Sequence, residues 1–320
     1  MKSMRPELLI RSAPGFKWPG STWSGSTGPG STGPGPLLRS ALAMAHIGAA
    51  ATLSARAVLL GRVLFYLLVL VILGMFWDTV AAEHANTALA LPSGIVLYVG
   101  VAECITLSVP AIHLRLEDDI RSGAIEAHLL RPMPYLLGQI GETVGGMAVR
   151  LAVLGLGGLV AMLVFGRSVP FDVGSDAPSA VGSDALSAAI WHAPSAAVWP
   201  LVVLLALLGG TVQVMLVAIA GLSTFWVRRS LAAYLIMQKL IFLLGGLFAP
   251  VTLYPTWLAR LAELSPFAAS LYWPAVLTLE RDAATIGAAF VAVVAWIAIL
   301  GLLCGCIWRA GMRRLLTRSV

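Results

Sequence analysis

Two charged side chains stand alone in apolar surroundings, Glu103 in IVLYVGVAECITLS and Lys239 in LAAYLIMQKLIFLL. A charge at bilayer depth costs about 2.5–3.5 kcal/mol or more, so it is expected to pair with another or to face a cavity. Two readings follow: a contact for a substrate or gate, or a structural ion pair, with Lys239 snorkelling to an interface as a variant of the second. The other reactive groups form no constellation. A phosphate-binding loop needs Gly-Lys-Ser/Thr, whereas the only lysines are Lys2, Lys17 and Lys239, followed by Ser3, Trp18 and Leu240. His46, His84, His113, His128 and His192 are scattered, without metal or nucleophile spacing. Cys304 and Cys306 lie two apart on one expected helix and point different ways, and Cys104 stands alone, so no disulfide framework or zinc site arises. Ser223 in GLSTF lacks the glycine that follows the serine of a nucleophile elbow. No catalytic residue is expected in this chain.

The chemistry that remains is that of contact. Asp118–Pro134, DDIRSGAIEAHLLRPMP, is polar and charged between two greasy stretches and must lie in water. Ser122 is a good N-cap, Ala124–Leu130 can make two helical turns, and Pro132 with Pro134 forbids continuation. The expectation is a short rigid helix presented at a membrane surface.

The elements that would position it are membrane spans. The chain is 59% hydrophobic and 11% charged, against roughly 25% charged in a soluble domain. Mean hydropathy is +0.90. Apolar runs of about 20 residues suggest six spans, near Val63–Ala82, Ser93–His113, Gly145–Phe165, Val198–Leu222, Leu231–Val251 and Ala284–Trp308. Of the 21 Lys and Arg, seven precede the first span. Four more lie in or beside the insert (Arg115, Arg121, Arg131, Arg150), two between spans four and five (Arg228, Arg229) and four in the tail. The opposite loops hold only Arg167, Arg260 and Arg281. Both termini and the insert are therefore expected in the cytoplasm of a multi-pass plasma-membrane protein, a bacterial inner membrane being the natural setting. The net charge of +6 is accounted for by these topogenic arginines and by anionic headgroups of the lipid bilayer, with no nucleic-acid partner implied.

Two regions flank this plan. Residues 1–36, with Gly-Ser-Thr at Gly20, Gly25 and Gly30, read as a low-complexity disordered tail without the apolar core of a signal peptide. Leu38, Leu42, Ala45, Ala49 and Leu53 then recur at helical spacing, as on an amphipathic helix at the inner leaflet. On the outer side, Pro250–Leu277 is too apolar for a loop and too broken by Pro255, Pro266 and Pro274 to span. It reads as two short helices dipping into the outer interface, anchored by Trp257, Phe267, Tyr272 and Trp273.

Two patterns in these slots resemble one family. The insert reads Gly123-x-Ile125-Glu126-x-x-Leu129-Leu130-Arg131-Pro132-x-Pro134, and the outer segment Pro250-x-x-Leu253-Tyr254-Pro255-x-Trp257-Leu258, then Pro266-Phe267 and Tyr272-x-Pro274-Ala275. Both resemble the membrane permease subunits of ABC-2-type transporters, in the subgroup whose ATPase is a separate chain. The resemblance covers residues 37–320 and the order of elements; the glycine-rich N-terminus departs from it.

The resemblance implies an all-α transmembrane domain that dimerises, with itself or with a second permease, and is driven by a cytoplasmic ABC ATPase subunit. ATP and Mg would be bound by that partner and no cofactor by this chain. Ala124–Leu130 would be the coupling helix, with Ile125 and Leu129 as apolar knobs and Glu126 and Arg131 as polar contacts in a groove of the ATPase. The scarcity of polar groups in the spans favours an exporter of an apolar or amphipathic substrate. The alternatives are a non-transporting assembly or sensor subunit, and a secondary carrier; a carrier would show repeated hydropathy and several intramembrane carboxylates, and neither is found.

Overall fold

The computed structural model describes residues 34–84, 94–129, 134–165, 198–279 and 282–318, and among them every regular element is helical. The chain runs through α1 (Pro34–Ser54), α2 (Arg56–His84), α3 (Ile95–Ser108), α4 (Ile112–Ser122), α5 (Ala124–Leu129) and α6 (Tyr135–Phe165). It continues through α7 (Trp199–Leu222), α8 (Leu231–Leu244), the short α9 (Thr256–Glu263), α10 (Pro266–Ser270) and α11 (Tyr272–Val276), and ends on α12 (Ala283–Arg318). Five helical stretches are long and apolar enough to cross a membrane, counting Ile95–Ser122 as one. The apolar α8 has 14 residues. At 1.5 Å per residue it measures about 21 Å against a hydrocarbon core of about 30 Å.

Proline and glycine explain where the helices depart from the hydropathy boundaries. The second apolar run was expected to reach His113, but α3 stops at Ser108 and the chain bends at Pro110, which has no N–H to give and whose ring clashes with the preceding turn. Ser122, expected as an N-cap, closes one helix and caps the next, its hydroxyl accepting from the Ala124 N–H at 3.4 Å at the start of α5. It is the last residue of α4, its hydroxyl donates to the Asp118 carbonyl at 2.7 Å, and Gly123 turns the chain with φ of 74°. A left-handed residue at that place is how many helices end, and it suits glycine. The outer segment contains three short helices where two were expected, because Leu271 interrupts the second with φ of −128°.

The helices pack around α7, whose small residues let neighbours approach on several sides. A Cβ added at Gly209 would lie 2.6 Å from the Pro274 ring and 2.7 Å from the Ser270 carbonyl. One core cluster gathers the ends marked by Trp77, Ile95, Val202, Ile241, Tyr272 and Ala289; a second gathers Ile112, Tyr135, Leu222, Phe225 and Cys304. The two clusters mark opposite ends of one bundle. α1 lies along α6 with the backbones in contact: a Cβ at Gly48 would fall 1.9 Å from the Glu142 carbonyl oxygen, and one at Gly145 1.9 Å from that of Ala45. Its leucines Leu38, Leu42 and Leu53 face away and remain exposed.

Beyond α8 the backbone is irregular yet buried, and its polar groups are satisfied within the protein. Buried Tyr98 donates its hydroxyl to the Gly246 carbonyl at 2.8 Å, and Tyr254 to that of Leu243 at 2.7 Å. Irregular backbone at membrane depth is tolerated only where protein covers it. Gly246 has φ of 70°, and a Cβ there would lie 2.7 Å from the Tyr98 hydroxyl. Tyr98→Phe, which leaves one buried carbonyl unpaired, is expected to cost about 1 kcal/mol. Gly246→Ala should cost more, since strain and clash combine. Thermal unfolding of the solubilised protein gives the order, and a Gly246→Ala protein as stable as wild type would show that the turn is not held there.

Candidate functional site

The sequence IHLRLEDDIRS of α4 separates two faces. Ile112, His113, Leu116 and Glu117 are buried, one helical turn apart in pairs, while Leu114, Arg115 and Asp118 are exposed. The buried face rests on α7 at Gly221, where a Cβ would come 2.9 Å from the His113 Cα. No larger residue would let the two helices meet.

From that position α4 is tied to α8 at two points. The Glu117 carboxylate, 7% exposed, accepts from the backbone N–H of Ser230 at 2.8 Å and from its hydroxyl at 2.6 Å. Ser230 itself is fully buried and precedes the first residue of α8. The carboxylate thus sits at the positive end of the α8 dipole and serves as the helix's cap from another element. One turn earlier on α4, and one turn further along α8, the rings of His113 and Tyr234 stack with centroids 3.8 Å apart and planes at 12°. Residues 113 and 117 on one helix meet residues 234 and 230 on the other, as spacing of four demands of two antiparallel faces.

α4 is also tied to α6. Tyr135 donates to the Asp119 carboxylate, and Arg115 pairs with Glu142 at 2.7 Å. The Arg115 side chain is 57% exposed, so this pair contributes about 1 kcal/mol at most. Arg121 adds a looser contact to Glu117 at 3.4 Å. α4 is therefore a strut held by α6, α7 and α8 together.

Past Gly123 the chain turns into α5. Ile125, expected as a knob for a partner, is only 1% exposed and packs in this chain's own core with Ile112, Leu116 and Tyr135. Its neighbour Glu126 is exposed, as is Ser122. Leu129 ends α5. Arg131 and Pro132 lie outside the described residues.

The two intramembrane charges do not meet. Lys239 is exposed on α8 and Glu103 half-buried on α3, and the two ion pairs among the described residues involve neither. In the outer segment Pro250 and Pro255 precede helical turns and Pro266 opens α10. Tyr272 and Pro274 are buried, Phe267 is partly so, and Trp257 is 67% exposed, as an interfacial anchor would be. The Ser265 hydroxyl accepts from the Ala268 N–H at 3.3 Å, capping α10.

Residues 187–319 match the family model described as ABC-2 family transporter protein. The matched stretch includes α7, α8, the three short helices and α12, and it supports an ABC-2-type permease. No curated protein is significantly similar to the chain.

Proposed function

We propose that this multi-pass ABC-2-type permease is the membrane-spanning subunit of an exporter, working as a dimer and driven by a separate cytoplasmic ATPase that binds ATP and Mg. Both termini face the cytoplasm, with α1 at the inner interface. The scarcity of polar side chains in the spans, Glu103 and Lys239 apart, favours an apolar or amphipathic substrate. α8 makes the sixth crossing: its first turn packs with the cluster around Phe225 through Tyr234, and its last turns with the opposite cluster through Ile241.

The observation that carries this reading is the double tie between α4 and α8. α5 projects from the end of α4, and α4 is fastened to the first turn of a bundle helix. A push on α5 would be delivered through Glu117 and His113 to the start of α8. In this reading Ser122 and Gly123 set the elbow, Ile125 anchors α5 to its own chain, and Glu126, Leu129, Arg131 and Pro132 meet the ATPase.

Glu126→Arg tests it. The side chain is exposed, so membrane levels and dimerisation should be unchanged. Reversal of a charge at an interface typically costs about 2 kcal/mol, roughly thirtyfold in affinity. Co-purification of the partner ATPase should fall accordingly. Retention of the ATPase and of transport-coupled hydrolysis at wild-type levels would remove α5 as the docking element.

A further inference from the structure

A cavity of about 410 Å³ opens between α1, α2, α4 and α6, away from the α4–α8 contact. Its walls carry three guanidinium groups, Arg62, Arg115 and Arg150, and one carboxylate, Glu142. Positive charge is therefore in excess even after Arg115 pairs with Glu142. Arg62 donates to the Leu107 carbonyl at 2.6 Å and Arg150 to that of Ser108 at 3.5 Å. These are the last carbonyls of α3, left without helical donors by the bend at Pro110. Two guanidiniums on consecutive carbonyls stand beside each other, each with further N–H donors unspent.

The helix end they share offers about half a negative charge, which does not balance two cations. An anion with several acceptor oxygens would, and phosphate is the group that guanidinium forks match best. The exposed part of the lining combines apolar Val58 and Leu114, 63% and 53% exposed, with Arg115, 57% exposed. Val58 belongs to α2, whose Leu60, Leu64 and Leu68 are also exposed. Guanidinium groups beside exposed apolar side chains fit an amphiphile and not a small hydrated ion. We infer that this cavity binds the phosphate headgroup of an anionic phospholipid from the adjoining leaflet, its acyl chains leaving over Val58 and Leu114. The inference goes beyond the coupling role proposed above and does not depend on the ATPase.

The test uses the whole chain in mild detergent, with thermal stability and native mass spectrometry read against three probes: phosphatidylglycerol, phosphatidylcholine and inorganic phosphate. Wild type should be stabilised by, and retain, phosphatidylglycerol alone. Arg150→Gln should weaken that binding about fivefold, the effect of one basic charge at a membrane surface. Because Arg150 also serves the end of α3, Glu142→Gln is the decisive variant. It removes the one carboxylate, frees Arg115, and should tighten phosphatidylglycerol binding by a similar factor without touching the backbone. Equal stabilisation by inorganic phosphate would overturn the lipid assignment in favour of a free anion. Equal binding of both lipids, or no response to Glu142→Gln, would overturn the site itself.

Discussion

Glu117→Ala should separate ATP hydrolysis from transport. The substitution removes two hydrogen bonds to a carboxylate and leaves the N–H of fully buried Ser230 without an acceptor. Bonds to a charged group contribute about 1.5–3 kcal/mol and an orphaned buried donor costs about 1–3 kcal/mol. A loss of about 3 kcal/mol shifts the balance between fastened and released α4 by roughly a hundredfold. α5, proposed above as the docking element, lies beyond this point, so the ATPase should still co-purify and hydrolyse ATP while substrate movement in proteoliposomes collapses. Ser230→Ala keeps the backbone N–H bond and should give a much smaller defect. Glu117→Gln, which retains an acceptor oxygen, should fall between them. Transport and hydrolysis remaining in proportion across all three variants would mean that force does not pass through this joint.

The second large effect is steric. Gly145→Val should cost more than about 2 kcal/mol, the overpacking range, because the obstructing atom is a backbone oxygen that cannot rotate away. α1 would have to leave α6, and the yield of monodisperse protein should drop with the unfolding temperature. Gly155 and Gly305 supply controls, since a Cβ at either meets nothing within 4 Å. Gly155→Val and Gly305→Val should leave the solubilised chain close to wild-type stability. Equal losses at all three positions would show that valine is harmful for its helix propensity and not for the contact.

That contrast shows how far the sequence could be read. Gly141-x-x-x-Gly145 and Gly301-x-x-x-Gly305 are the same signal on paper, yet the first is a helix crossing and the second faces open space. Spacing reports that close approach is permitted; only the partner helix decides whether it occurs. Five of the six apolar runs fall on long apolar helices, because their length follows from the bilayer, whereas the run Leu231–Val251 gave the 14-residue α8. The boundary of α3 was missed since Pro110 sits inside an apolar run, where hydropathy drowns the break. Glu117 was passed over for a similar reason. In LEDDIR it resembles its solvated neighbours, and its partner Ser230 is 113 residues away. A signal was present: residues 112, 113, 116 and 117 trace one face, and a carboxylate on the buried side of an amphipathic helix needs a donor. Ile125 was expected outward because the resemblance makes this short helix a coupling helix with Ile125 as an apolar knob. α5 instead turns that side to α4 and Tyr135, which no local pattern could disclose.

The backbone crossing of α1 and α6 has a consequence for how the chain is made. α1 leaves the ribosome before α6, and the surface it needs lies about 100 residues downstream, between Ala45 and Gly145. At about 5–20 residues per second, α1 waits some 5–20 s before its seat exists. Meanwhile its stripe of Ala41, Ala45 and Gly48 is uncovered, beside the exposed Leu38, Leu42 and Leu53. A helix made early thus waits for one made later, and its docking reports that α6 has been reached.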